Sequence, residues 1–347
     1  ETITRAYLRA DTSGIYPNYS ALPKFDAPLA RWAPHPYLNY YPTPNYRSGL
    51  RFHNSLGYRD DEFTVDKPAG VYRVVALGGS TTYTNSVVDN DLTFTSQLEK
   101  ILKNEYGYDR VQVINAGVAG YTSLESLVNL ELRVLDLDPD LVIIYHGANE
   151  THRRLVDPSV YRGDSTGYVK QWNQPRLWFL TRSAFISGIA FQFRGAIRGL
   201  PTFDLGSRSR VPASNSPQYV DSPPDTWYLE RNPPVLFERN LKNMVAIAKE
   251  HGVNTLLATF AHTPHVDNHY ASTIAYQRGF AEQNDMVKEV AKSHDVFLLD
   301  FAALMPQEML YWNDGVHLNE EGALRKAKIF AEFLHQRQVI PESHREN

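Results

Sequence analysis

The chain has 347 residues, a formal net charge of −4, 42% apolar and 21% charged residues, and no cysteine. That length allows two domains or one large domain with insertions, and no run approaches the roughly 18 uninterrupted apolar residues of a membrane-spanning helix. There is no basic field to recruit nucleic acid by neutralising phosphates, and the missing thiols exclude disulfides, thiolate metal sites and a cysteine nucleophile, leaving serine, carboxylate or histidine chemistry.

Residues 1–70 are rich in proline and tyrosine, as in Pro34, Pro36, Tyr37, Tyr40, Tyr41, Pro42, Pro44 and Tyr46, with no sustained helical or alternating period. Disordered chains are poor in aromatics, so this stretch is expected to be an extended arm laid over a folded body. A strand–loop–helix unit follows. Val71 to Leu77 is a short β-branched run closed by Gly78 and Gly79, and apolar residues recur at helical spacing from Thr93 to Tyr106. The unit repeats with a strand at Val111 to Ile114 before a helix near Leu124 to Leu135, and with a strand at Leu141 to Tyr145. Further strands are expected at Thr255 to Phe260 and Val296 to Leu299, after helices near Leu236 to His251 and Ala275 to Ser293, and a last helix near Glu320 to Arg337. Such alternation implies crossover connections and a parallel sheet covered by helices on both faces. Between Glu150 and Pro233 the alternation stops, and this segment is read as an inserted cap. Residues 338–347 are left as a C-terminal tail.

In an open parallel sheet, ligands bind outside the carboxyl ends of the strands, so the residues just after each strand carry the most information. Here they are Gly78, Gly79, Ser80, Thr81 and Thr82, then Asn115, Ala116 and Gly117, then Gly147, Ala148, Asn149 and Glu150, and before the last helix Asp314, Gly315, Val316 and His317. Acyl transfer by serine needs a hydroxyl beside a base, a group holding that base in one tautomer, and donors aimed at the developing oxyanion. Ser80 follows two glycines that permit a tight turn. Asp314 lies three positions before His317, close enough to hold the imidazole Nδ1 while Nε2 faces Ser80.

These four segments, in this order, resemble the blocks of the SGNH (GDSL-like) serine hydrolase family over residues 71–337. The resemblance implies a three-layer α/β/α sandwich with a flavodoxin-like five-stranded parallel sheet. It also implies Ser80 as nucleophile and oxyanion donor, Gly117 and Asn149 as further donors, and His317 with Asp314 completing a triad, with no metal or cofactor. Gly79 stands where the family usually has Asp, Thr81 where it has Leu, and Glu150 where Asp commonly follows the Asn. The run His53, Asn54, Ser55, Leu56, Gly57, Tyr58, Arg59 also resembles a segment preceding the catalytic domain in bacterial envelope-associated members.

The expected activity is hydrolysis of an ester, an O-acyl group on a glycan or other envelope molecule, through an acyl-enzyme. The same triad would serve an acyltransferase, and a catalytically silent binding protein on this fold is the alternative from another class. Thr81, His152, Arg153, Arg154 and His262 are candidates for substrate contacts, the cations at the rim drawing in an anionic group. The alternative for those cations is a solvated helix start. His262, His265 and His269 with Asp267 have spacings that could hold zinc, but they read better as pocket or packing histidines. Residues 176–200 carry apolar residues at helical spacing with Arg176, Arg182, Arg194 and Arg198 and no acid, suiting either a cap helix on the body or a membrane-surface helix. The chain opens at Glu1 rather than Met, so a removed signal or anchor is expected, with a periplasmic, extracellular or envelope-anchored location. No feature assigns an oligomeric state.

Overall fold

The computed structural model describes residues 31–35, 37–164, 225–266 and 269–345. Five parallel strands form the central sheet: β5 (Tyr72–Gly78), β6 (Val111–Asn115), β7 (Leu141–Tyr145), β8 (Asn254–Ala258) and β9 (Phe297–Leu299). Their spatial order is β6-β5-β7-β8-β9. In order of appearance that is 2-1-3-4-5, the flavodoxin-like order, and its switch point lies between β5 and β7. This is the α/β/α arrangement expected of an SGNH/GDSL-like hydrolase.

Each central strand is apolar on both faces because each face meets helices. From β5, Tyr72, Val74 and Ala76 pack with Phe94, Leu98, Phe330 and Leu334. These belong to α2 (Phe94–Asn104) and α9 (Glu320–Gln336). The alternate residues Val75 and Leu77 pack with Leu241, Met244, Val287 and Val290, which belong to α6 (Val235–Glu250) and α7 (Ile274–His294). α3 (Ser123–Asn129) lies against α6 on that side. Each fully buried Val or Leu contributes roughly 1.5–3 kcal/mol, so the layers hold together through many such contacts.

Local chemistry starts the helices where the strands deliver the chain. Thr122 and Glu125 form a capping box at α3. Asn319 accepts from the Gly322 N–H at 2.9 Å, with Glu320 and Glu321 in the first turn of α9. The helix expected to reach Leu135 is α3 followed by a π turn over Leu130–Val134 and a 3₁₀ turn ending at Asp138, whose φ is 50°. The apolar spacing persists through those turns, which is why it reads as one helix.

The arm differs from a featureless extended segment. β1 (Trp32–His35) pairs with β2 (Asn39–Pro42), and β3 (Arg47–Ser48) with β4 (Arg51–Phe52), both antiparallel. Ladders of two to four residues are too short to show alternation in a sequence. Leu38 and Tyr40 pack with Val118 and Tyr121 of the body, and Tyr40 Oη donates to Ala119 O at 2.5 Å. At the other end, residues 338–340 are not a loose tail: Val339 and Ile340 are buried, and Tyr72 Oη donates to Val339 O at 2.9 Å.

Of the expected cap, residues 150–164 and 225–233 are seen as flanks built around α4 (Ala148–Arg154) and α5 (Asp225–Arg231). The rest, including residues 176–200, lies outside the described residues. No described helix is long and apolar enough to cross a membrane.

Candidate active site

Gly78 and Gly79 are followed at once by a single helical turn, α1 (Ser80–Tyr83). Neither glycine has positive φ, so space rather than backbone freedom requires them. A Cβ on Gly78 would lie 2.4 Å from Tyr145 O, and one on Gly79 would lie 2.8 Å from Asn149 Nδ2. On Gly117 it would come 2.4 Å from Tyr83 N. The end of β5 thus meets that of β7, and the Gly117 loop after β6 meets α1, at backbone contact, which brings the Ser80, Gly117 and Asn149 segments together.

Across this junction, Ser80 Oγ lies 2.7 Å from His317 Nε2, and His317 Nδ1 lies 2.8 Å from Asp314 Oδ2. The other carboxylate oxygen, Oδ1, accepts from the Val316 N–H at 2.8 Å and the His317 N–H at 2.7 Å. Burial alone would raise the Asp314 pKa. The His317 side chain and the two backbone donors outweigh it and bring the carboxyl down to about 2. An ionised Asp314 keeps the Nδ1 proton on the imidazole and leaves Nε2 to accept from Ser80. Such a set can take the serine proton as Oγ attacks a carbonyl.

Asn149 Nδ2 donates to Tyr121 O at 2.9 Å, which fixes the amide against Gly79. The N–H groups of Ser80 and Thr81 lie in the first turn of α1, where no intrahelical acceptor exists. The expected Gly117 donor differs: its N–H donates to Asn115 Oδ1 at 3.1 Å within its own loop. Glu150 is no bystander, since its buried carboxylate accepts from Ser123 N and ties α4 to the start of α3. Burial raises its pKa.

The remaining expected contacts divide. Thr81 lines a pocket of about 210 Å³, open mouth included, beside Ser80 and His317. His152 is half-buried, hydrogen-bonds to Tyr276 Oη and meets the Tyr270 ring edge-on. Arg153 and Arg154 are not rim cations. Both are buried, Arg153 donating to Arg162 O at 2.9 Å and Arg154 to Asn232 O at 2.7 Å and to Glu282. They clamp the flanks of the expected cap, because carbonyls with no secondary-structure partner need donors. His262 packs on Phe280, and burial lowers its pKa. His269 turns Nε2 to 4.0 Å from Asp314 Oδ1. Among the described residues no three His, Asp or Glu side chains converge as metal ligands; Asp267 lies outside them.

Sequence reasoning passed over the arm's grip on α1. Arg59 is buried and donates to Tyr83 O at 3.0 Å, Thr84 O at 2.8 Å, Val87 O at 2.8 Å, Val88 O at 3.2 Å and Asn90 Oδ1 at 3.0 Å. His53 Nε2 and Arg31 Nε reach Tyr83 Oη at 2.7 and 3.2 Å. Asp60 Oδ2 accepts from Asn115 N at 3.1 Å. The run at 53–59 was the available signal, and it identified the segment without its contacts.

A family model described as the GDSL-like lipase/acylhydrolase family matches residues 76–325. No curated protein matches the chain. Solved structures similar to it include a lipase/acylhydrolase from Enterococcus faecalis, at 16% identity over 77% of this chain and 97% of that one, TM-score 0.45. An acetyl xylan esterase from Geobacillus stearothermophilus has 15% identity over 76% and 96%, TM-score 0.45. Another acetyl xylan esterase has 15% identity over 75% and 98%, TM-score 0.46.

Proposed function

We propose that this chain, which belongs to the GDSL-like lipase/acylhydrolase family and is an ester-hydrolysing serine hydrolase, removes a short O-acyl group from a glycan or other envelope molecule, with Ser80 as nucleophile. The hydrogen-bonded line from Ser80 Oγ through His317 to Asp314 carries the reading. Oγ attacks the acyl carbon as its proton passes to His317 Nε2. The negative charge on the carbonyl oxygen is met by the Ser80 N–H and the Asn149 amide, and the Gly117 N–H joins them if it leaves Asn115. The bond to the alcohol oxygen breaks as Nε2 returns the proton to it. Water then repeats the cycle on the acyl-enzyme and restores the Ser80 hydroxyl.

Two features support a short acyl group on a sugar. The pocket beside Ser80 and His317 has room inside for little more than one water-sized group. On the other side, the rings of His269, Tyr270, Tyr276 and His152 adjoin one another next to Asp314 and supply flat faces of the kind a pyranose stacks on. The test is a fluorophosphonate label with acetyl and longer-chain esters as substrates. Wild-type protein is expected to label at Ser80 and to prefer the acetyl ester, and Ser80→Ala to do neither while melting normally. Labelling elsewhere, or full turnover by Ser80→Ala, would remove Ser80 from the role.

A further inference from the structure

Lys326 is fully buried in α9, and its ammonium position is unusual for a lysine. Nζ lies 3.8 Å from the ring centre of Tyr145, 4.2 Å from Phe94, 5.6 Å from Phe330 and 5.7 Å from Phe301. Among the described residues no carboxylate pairs with it, and its one hydrogen-bond contact is the Thr81 carbonyl oxygen at 3.5 Å. A buried amine is normally paired or hydrogen-bonded. Here the aromatic box surrounds the group, and the long contact to Thr81 uses one donor at most. Burial lowers its pKa well below the ordinary value, but protonated or neutral the amine keeps N–H groups to give.

The same side chain lines the pocket beside Ser80 and His317. Of the other polar groups there, Thr84 Oγ1 already donates to Thr82 O and accepts from Phe94 N, and Asn85 Oδ1 accepts from Arg31. Phe94, Leu318 and Ala323 are apolar walls. Thr81 Oγ1 and Asn85 Nδ2 are donors there too, but both side chains are only part-buried and can turn to water. Lys326, by contrast, is fully buried, in the wall of a space that holds little beyond one water-sized group.

We propose that this pocket is the acyl subsite and that Lys326 donates a hydrogen bond to an oxygen on the carbon next to the ester carbonyl, so that the site selects two-carbon 2-hydroxyacyl groups over their all-carbon counterparts. The proposal rests on the reading of Ser80 as nucleophile. A glycolyl group places a hydroxyl where a propionyl group of the same size places a methyl. The hydroxyl completes the coordination of the amine, and the methyl leaves it without an acceptor.

The experiment compares kcat/KM for glycolyl and propionyl esters of one alcohol, each divided by its rate with hydroxide to remove intrinsic reactivity. In wild-type protein the corrected glycolyl-to-propionyl ratio is expected to be about tenfold or more in favour of glycolyl, a size set by one net hydrogen bond. Lys326→Met keeps the length of the side chain and removes the donor, and the ratio is expected to fall to near one. A corrected wild-type ratio at or below one overturns the proposal without any variant, which covers the case in which Lys326→Met does not fold. A ratio unchanged in folded Lys326→Met overturns it as well. Absence of Ser80 labelling and of turnover on every ester is a failure of the nucleophile reading instead, and the two failures are separable in one set of assays.

Discussion

Replacing Arg59 by Met would keep most of the side chain's volume and remove its guanidinium, and the structure shows which groups are then stranded. Five acceptors face the guanidinium: Tyr83 O, Thr84 O, Val87 O, Val88 O and Asn90 Oδ1. Thr84 O keeps the Val87 N–H, Val87 O keeps Arg51 Nη2, and Asn90 Oδ1 keeps the Phe52 N–H. Tyr83 O is buried and loses its donor, whereas Val88 is exposed, so its carbonyl can turn to water. A buried polar group left without a partner costs roughly 1–3 kcal/mol, which sets the expected loss in unfolding free energy. That is a large part of the 5–15 kcal/mol margin usual for a folded protein. Urea denaturation measures it, read as a shift in midpoint at constant slope. Tyr83 is the last residue of the turn that begins at Ser80, so fluorophosphonate labelling of Arg59→Met is expected to slow at urea concentrations well below global unfolding. A midpoint within about 0.5 kcal/mol of wild type, with unchanged labelling, would refute the reasoning and make the arm a passive cover.

Asn149→Ala removes an amide held by Tyr121 O against Gly79; kcat is expected to fall about 10²- to 10³-fold with a smaller change in KM, since an oxyanion donor acts as charge develops. Steady-state kinetics on an acetyl ester decide it, and a change confined to KM would make Asn149 a binding residue. His53 and His146 give a pH prediction, because burial pushes their pKa values down to about 3 and about 4. Below about pH 6.5 the unfolded chain takes up protons that the folded one refuses, so stability falls on acidification by up to about 1.4 kcal/mol per pH unit for each, levelling off near the folded values. Urea midpoints from pH 7 to 4.5 are expected to fall less steeply in His53→Gln, and an identical slope would mean that His53 is not held neutral.

How much of this was legible in the sequence follows from what a linear pattern records. The strands were legible because helices cover the sheet on both faces, so Leu141 to Tyr145 reads as an unbroken apolar run and Val71 to Leu77 as one interrupted only by Arg73. The Ser80–His317–Asp314 line was legible because Ser80 follows a strand directly and Asp314 and His317 lie in the loop between the last strand and the last helix, on the edge to which a parallel sheet delivers such loops. Buried charge was not visible. Arg59, Arg153, Arg154 and Lys326 look in a sequence like solvated surface, as such residues usually are. What buries the three arginines is irregular backbone, whose carbonyls between short elements take their donors, while Lys326 is enclosed by aromatic rings. The arm's ladders were hidden for the related reason that two paired residues have no period.

The glycines show most clearly where sequence and structure part. Two glycines before Ser80 suggest a turn that needs positive φ, yet the φ at Gly79 is −87°. What they provide is close approach, with Tyr145 O occupying the place of a side chain at Gly78 and Asn149 Nδ2 that at Gly79. Close contact of this kind is suited to holding the Asn149 amide beside Ser80 to within fractions of an ångström, as the proposed chemistry requires. It also makes α1 depend on whatever grips its far end. Arg59, His53 and Arg31 grip it from the arm, and Lys326 from the last helix through Thr81 O. The placement of Ser80 is therefore shared between the sheet that delivers it and two segments remote in sequence. A catalytic motif read at residues 78–82 alone contains only the first of those three.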